Sequence, residues 1–100
     1  RIDEAFDLIQ RALALSPGNP AIMDSLGWAY YRSGDLDKAL PLLQQAFEKY
    51  PDHEVAAHLG EVLWMIGQKE DARVVLKDAL HQTPDHTELN ETIRRLNIPL

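Results

Sequence analysis

The 100-residue sequence lacks cysteine, which excludes disulfide bonds, thiolate metal ligands and thiol nucleophiles from this chain. It also lacks any run of about 18 apolar residues, so it predicts no membrane-spanning helix. Positive charge is scarce, because 10 lysine and arginine residues stand against 16 aspartate and glutamate residues and the net charge is −6. Nucleic-acid binding needs clustered positive charge, and the sequence therefore argues against a nucleic-acid partner.

A repeat with a period of 33 to 34 residues is the main feature that the sequence does contain. Pro51 follows Pro17 by 34 residues, and Pro84 follows Pro51 by 33. The other recurring sets are Leu26-Gly27 and Leu59-Gly60; Gly34 and Gly67; Ala5, Ala39 and Ala72; and Ala12, Ala46 and Ala79. A repeat of this length is typical of stacked helix–turn–helix units.

Turn residues divide each period into two helical segments, and no segment alternates apolar and polar residues for long enough to form a strand. The predicted helices lie near residues 1–15, 21–33, 36–50, 54–66, 69–82 and 87–97. The sequence thus predicts an all-α fold with about six helices. Because helical spacing begins at Ile2 without a capping residue before it, we expect the sequence to start inside a helix of a longer protein.

Small residues at fixed places predict where the helices of one repeat meet. Gly27 and Gly60 fall in the middle of predicted helices, where glycine costs about 1 kcal/mol relative to alanine. Close approach of the paired helix would offset that cost, since a side chain would not fit there. The matching small positions on the second helices are Ala39, Ala46, Ala72 and Ala79.

These recurring residues resemble the tetratricopeptide repeat (TPR) family, whose unit is a helix–turn–helix of 34 residues. The resemblance implies a right-handed α-solenoid of antiparallel helix hairpins. It also implies that residues 1–19 are the second helix of a truncated repeat, that 20–52 and 53–85 are complete TPR units, and that 86–100 form a capping helix and tail. Arg94 replaces the mid-helix glycine in the last segment and favours its interpretation as a cap.

Residues 24–47 and 54–72 are similar to the C-terminal repeats of TPR lipoproteins in Gram-negative bacterial envelopes. Such proteins scaffold envelope complexes, and some are adaptors for periplasmic proteases. The similarity implies a bacterial protein held in the periplasm or at the outer membrane by a lipid anchor upstream of this sequence. A cytoplasmic location is the alternative.

The TPR resemblance also implies a partner-binding groove, because this family exposes its first helices on a concave surface. The implied groove residues are Ala21, Asp24, Trp28, Tyr31 and Arg32 in one unit and Glu54, Ala57, Glu61, Trp64 and Met65 in the next. Helix geometry by itself places Asp24, Trp28 and Tyr31 on one face. Aromatic rings with acidic neighbours favour a basic or helical peptide partner.

Two alternatives to a groove remain open from the sequence. Trp28 and Trp64 could pack between successive repeats, since aromatic residues at helical spacing are usually core. The repeats could also serve as a structural spacer within a longer envelope lipoprotein, without a ligand of their own. We expect Phe6, Ile9 and Leu13 to be exposed on the first helix and to form a dimer through this helix.

The sequence predicts neither catalysis nor a cofactor. Glu54, His58 and Glu61 share a helix face and could hold a divalent metal, but a metal site needs more converging ligands, and a solvated charge pattern explains them. No glycine-rich phosphate loop and no serine with a paired base occur. We therefore expect a binding or structural protein and not an enzyme.

Overall fold

The computed structural model describes residues 2–100, with side chains from Asp3 onward, and this part of the chain contains six α-helices and no strand. The helices are α1 (Ile2–Leu15), α2 (Pro20–Arg32), α3 (Leu36–Lys49), α4 (His53–Ile66), α5 (Lys69–Gln82) and α6 (Thr87–Leu96). The prediction of an all-α fold with six helices is confirmed. None of these helices combines the length and the apolar character needed to cross a bilayer.

The helix boundaries follow from local capping chemistry. Asp35 and Asp52 begin α3 and α4, where their carboxylates accept hydrogen bonds from the backbone N–H groups of Lys38 and Glu54. Gly34 (φ 92°) follows α2, and Gly67 (φ 103°) ends α4. A positive φ is unfavourable for any side chain with a Cβ, which explains why glycine occupies both positions.

The chain divides into two compact units, one up to Tyr50 and the other from Pro51 to Leu100. In the first unit α2 packs mainly on α3, and a Cβ at Gly27 would stand 2.8 Å from the Leu43 Cγ. The facing residues Ala39, Leu43 and Ala46 have no exposed surface. The predicted close approach at the small residues is therefore confirmed in this unit.

The helix α1 packs on α2 through a different face from the one expected. The ring of Phe6 lies 4.8 Å from that of Tyr30, and Phe6, Ile9 and Leu13 are all half-buried. The expectation that these three residues are the exposed face of the first helix is wrong, because α2 covers them. The exposed apolar residues of α1 are Leu8 and Leu15.

The second unit repeats the hairpin and adds α6. A Cβ at Gly60 would stand 2.5 Å from the Leu76 Cγ, so α4 and α5 approach as closely as α2 and α3 do. The helix α6 contacts both α4 and α5, and its Leu89 has no exposed surface. The packing expected at Gly60, Ala72 and Ala79 is confirmed.

Candidate functional site

The predicted residues of α2 differ widely in their exposure. Asp24 is buried, Trp28 and Tyr31 are half-buried, and Arg32 at the last position of the helix is exposed. The rings of Trp28 and Tyr31 lie 4.9 Å apart at an interplanar angle of 35°, a tilted contact that holds both rings on one face of the helix. Ala21, at the second position of α2, is also exposed, and we call the accessible large residues Trp28, Tyr31 and Arg32 the α2 surface.

The predicted residues of α4 divide in the same way. Ala57 and Glu61, in the middle of the helix, are buried. Glu54 at its first turn is exposed, Trp64 is half-buried, and Met65 is 52% exposed. The accessible residues Glu54, Trp64 and Met65 form what we call the α4 surface.

Glu61 is buried because α6 lies over it. Its carboxylate accepts two hydrogen bonds from the Arg95 guanidinium, at 3.2 Å from Nη1 and 2.5 Å from Nη2, while only 5% of the Glu61 side chain is exposed. A buried carboxylate needs such a partner, because removing its charge from water is costly. Arg95 did not stand out in the sequence, although it lies 34 residues, one repeat period, after Glu61 and carries the opposite charge.

Trp64 is in contact with two cations of α5. Lys69 Nζ stands 4.8 Å from the centre of its ring, and the guanidinium carbon of Arg73 stands 5.8 Å from it. Cations over the face of an indole ring are attracted by its negative potential. The tight turn at Gly67 places the first turns of α5 beside the end of α4. In the sequence, this contact is indicated by a cation that follows an aromatic residue across a glycine turn.

Two further polar contacts reach α4 from the segment between the end of α5 and the first turn of α6. His58 Nε2 lies 3.2 Å from a Glu88 carboxylate oxygen, and Thr83 Oγ1, just after α5, lies 2.7 Å from His53 Nε2. Partial burial raises the pKa of the Glu88 carboxyl, and the neighbouring Glu54 raises it further, whereas the charge of His58 opposes this. The contact between His58 and Glu88 thus joins α4 to α6 through a carboxyl group whose raised pKa disfavours its ionised form.

Glu54, His58 and Glu61 share a helix face, the arrangement on which a divalent metal site would depend. Among the residues that the structure describes, no group of three or more histidine, aspartate or glutamate side chains is arranged to hold a metal ion. The carboxylate of Glu61 is directed to Arg95, and His58 faces Glu88. These side chains therefore serve the packing of α6 on α4.

Comparison with known proteins identifies the repeat. A family model described as tetratricopeptide repeat matches residues 1–57 and 30–96 of the chain. The TPR repeat-containing protein PA4667 of Pseudomonas aeruginosa is 57% identical over 61 residues, which are 61% of this chain and 10% of that protein. The human protein O-mannosyl-transferase TMTC1 is 30% identical over a stretch that covers 95% of this chain and 11% of its own length.

A solved structure has the same arrangement of helices. TTC0263, a thermophilic TPR protein of Thermus thermophilus, superimposes with a TM-score of 0.81 at 24% identity over 95% of this chain and 50% of its own. At this identity the likeness shows the fold alone, and it confirms the predicted class, an α-solenoid of helix hairpins. The chain spans about a tenth of the length of the two relatives and half of the solved structure.

Proposed function

This chain belongs to the tetratricopeptide repeat family, whose members generally mediate protein–protein interactions, and we propose that it is a protein-binding module that docks its partner on the α2 and α4 surfaces. The observation that carries the proposal is the exposure of large side chains on the first helix of each hairpin. Trp28 and Tyr31 on α2 and Trp64 and Met65 on α4 all keep accessible area, although each helix also packs on its hairpin partner.

The chemistry of the two surfaces favours an apolar partner over a strongly basic one. Asp24 and Glu61, the residues expected to attract a basic peptide, are buried, and the charge of Glu61 is neutralised by Arg95. What remains accessible is aromatic and thioether area, which adapts to apolar side chains, with one charge of each sign at Arg32 and Glu54. We therefore propose that the partner presents apolar side chains to Trp28 on the α2 surface and, separately, to Met65 on the α4 surface.

A structural spacer is the second candidate, and a specific observation favours it for the second unit. Ala57 and Glu61 lie at the centre of the predicted docking face of α4, yet both are buried, and α6 supplies the partner of Glu61. A face already committed to internal packing has less area for a ligand. In this alternative the repeats hold other parts of a longer protein at fixed separation.

Alanine replacement of Trp28 distinguishes the two functions. In the full-length protein, Trp28→Ala and Met65→Ala should each reduce recovery of the co-purified partner, whereas Gln44→Ala, at an exposed position of α3, should leave it unchanged. Thermal melts of all three variants must accompany the measurement, since a loss above roughly 3 kcal/mol for Trp28→Ala would mark the residue as core. Equal recovery from all variants would favour the spacer.

The wider context of the protein is a separate proposal. We propose that the full-length protein is a bacterial envelope lipoprotein, on the similarity of residues 24–47 and 54–72 to repeats of that class. Growth of the native host with an alkyne-labelled fatty acid, followed by isolation of the full-length protein, should give a labelled product. An unlabelled protein in the soluble fraction would contradict this proposal and leave the proposed binding function intact.

A further inference from the structure

Three cavities lie along the outer face of α5 and meet at one lysine. Lys77 lines all three, and their volumes are about 310, 470 and 320 Å³. Val74 lines two of them, and Leu80, Pro84 and Leu100 add apolar walls. We call this row of cavities the α5 furrow, and none of the residues of the α4 surface lines it.

The outer face of α5 is exposed because of its place in the hairpin. On the inner side Leu76 has no exposed surface, whereas Val74 is 63% exposed and Lys77 is exposed beside it. The equivalent residues of α3, Pro41 and Gln44, are also exposed, although another hairpin follows α3 in the chain. The α5 furrow thus lies on a face that the repeat itself leaves open.

The packing of the first unit shows why a neighbouring repeat leaves this face open. There α1 and α3, which carry recurring alanines at the same repeat positions, both pack on α2, and over the described residues they do not pack on each other. Equivalent helices of successive repeats are thus separated by the helix between them. The outer face of α5 is therefore available to a partner.

The acidic residues beside the α5 furrow are already engaged within the helix. Glu70 accepts a hydrogen bond from Arg73 Nε at 3.1 Å, and Asp78 accepts one from the side-chain amide of Gln82 at 3.3 Å. The hydrogen bond and the charge of Arg73 hold the pKa of the Glu70 carboxyl below its usual value, and the charge of Lys77 adds a smaller effect. Lys77 itself forms no hydrogen bond or ion pair with any residue that the structure describes.

We propose that the α5 furrow binds a short segment of a partner protein in which an aspartate or glutamate is flanked on both sides by apolar side chains. The carboxylate pairs with Lys77, and the flanking side chains cover Val74 on one side and Leu80 with Pro84 on the other. An exposed ion pair contributes little affinity, so apolar contact supplies most of the binding and Lys77 selects the partner.

A segment with a central lysine or arginine is the competing occupant, and the charges of the furrow argue against it. Such a segment would meet Lys77 and Arg73, and it could reach Glu70 or Asp78 only by displacing the partners that they already have. Like charges brought together at an interface are unfavourable and exclude the wrong partner.

The length of the furrow sets the expected strength of binding. From Glu70 to His81 the helix rises by roughly 16 Å, which an extended segment of about five residues spans. A contact of this length buries less area than a standard stable interface of about 1,600 Å². We therefore expect a Kd above about 1 μM that increases as salt is added.

Selection of random peptides of about 12 residues, displayed on phage and long enough to span the furrow, tests the proposal. The full-length protein is the bait, as wild type, as Lys77→Glu and as Lys49→Glu, a matched charge reversal at an exposed position of α3. Wild type and Lys49→Glu should both recover peptides with a central acid between apolar residues. Lys77→Glu should lose these peptides and recover ones with a central lysine or arginine.

Binding at the α5 furrow is independent of the partner proposed for the α2 and α4 surfaces, and the selection separates the two. Peptides that bind the α4 surface should be lost with Met65→Ala and kept with Lys77→Glu. Recovery of the acidic-centred peptides from Lys77→Glu as efficiently as from wild type, or their absence from the wild-type selection, would overturn the proposal for the furrow.

A synthetic peptide taken from the selection supplies the quantitative readout. Fluorescence anisotropy should give a Kd that increases at least about fivefold for Lys77→Glu and changes less than about twofold for Lys49→Glu. Replacing the central acid of the peptide by lysine should restore binding to Lys77→Glu, which a merely structural effect of the substitution would not do. Lys77→Gln replaces Lys77→Glu if circular dichroism shows the latter unfolded, and it should bind the acidic and the lysine peptides equally. A charge exchange that fails to restore binding, or a Lys77→Gln variant that keeps the wild-type preference, would overturn the proposal.

Discussion

Gly60 lies so close to Leu76 that a Cβ at position 60 would stand 2.5 Å from both the Cγ and a Cδ of the leucine. Leu76 has no exposed surface and is enclosed by a close-packed interior, which resists its displacement. The absent side chain of Gly60 sets the distance between α4 and α5, and the same relationship joins Gly27 to Leu43 in the first unit. Each hairpin is therefore specified by the smallest residue of its first helix.

Gly60→Ala should lower the free energy of unfolding by about 1–3 kcal/mol, even though alanine favours helix, because the added methyl group overpacks the contact with Leu76. Gly18→Ala is the matched control, since the nearest atom to its new Cβ would be Lys49 Nζ at 3.5 Å. Urea denaturation of both variants measures the effect. Equal stability of Gly60→Ala and the wild-type chain would contradict the packing described for α4 and α5.

Arg95→Ala should destabilise the chain by about 2 kcal/mol, because it leaves the buried carboxylate of Glu61 without its guanidinium partner. The loss is smaller than that expected for a fully buried pair, since 56% of the Arg95 side chain is exposed. The neighbouring Arg94→Ala, at an exposed position, is the control and should change stability by less than about 0.5 kcal/mol. Adding Glu61→Met to Arg95→Ala should recover stability, and failure to do so would argue against the ion pair as the cause.

The contact at Glu88 predicts a pH dependence of defined sign. Burial and the neighbouring Glu54 raise the pKa of Glu88 above 4.5, so the folded state binds more protons than the unfolded state just above that pH. Stability from this group is therefore lost as the pH rises through the raised pKa. The stability of the wild-type chain relative to Glu88→Gln should fall over this range and then level off.

Urea denaturation of both chains between about pH 4 and 7 measures this difference. Glu91→Gln, on an exposed position of the same helix, serves as the matched variant against which the Glu88 effect is compared. A stability difference that instead rises with pH would mean that the charge of His58 outweighs the burial of Glu88.

Pro41→Ala should stabilise the chain. Pro41 is the sixth residue of α3 and is exposed, so it leaves a carbonyl of the preceding turn without its helical hydrogen bond and contributes little packing in return. Alanine restores that bond, and we expect a gain of about 1–2 kcal/mol after allowance for the greater flexibility of the unfolded chain. Gln44→Ala on the same helix is the control. An unchanged or lower midpoint of urea unfolding would show that Pro41 has a packing role.

The sequence predicts the fold well because its turns and its close helix contacts accommodate only glycine. Gly34 and Gly67 mark positive φ, and Gly27 and Gly60 mark the hairpin contacts. Exposure on the first helices was harder to predict, since it depends on what another segment covers. The burial of Glu61 by α6 illustrates this, because its partner Arg95 lies 34 residues away in the chain.

The buried face of α1 was equally hard to predict from the sequence. Both of its apolar sets have helical spacing, and the spacing alone does not tell which set α2 covers. Contact with Tyr30 places Phe6 on the inner side, and Leu8 is left on the outer side. The predicted partner-binding residues depend in the same way on which face another segment covers, and their assignment to a binding surface stays a prediction.

Site-specific photo-crosslinking in the full-length protein tests the proposed binding function most directly. A photoreactive residue is placed at Arg32 or Met65, on the α2 and α4 surfaces, and at the exposed control positions Gln44 and Asp71 on α3 and α5. The binding function predicts a crosslinked partner of the same mass from Arg32 and Met65 and none from the two controls. Crosslinks from the controls alone, or none from any position while the partner still co-purifies, would contradict it.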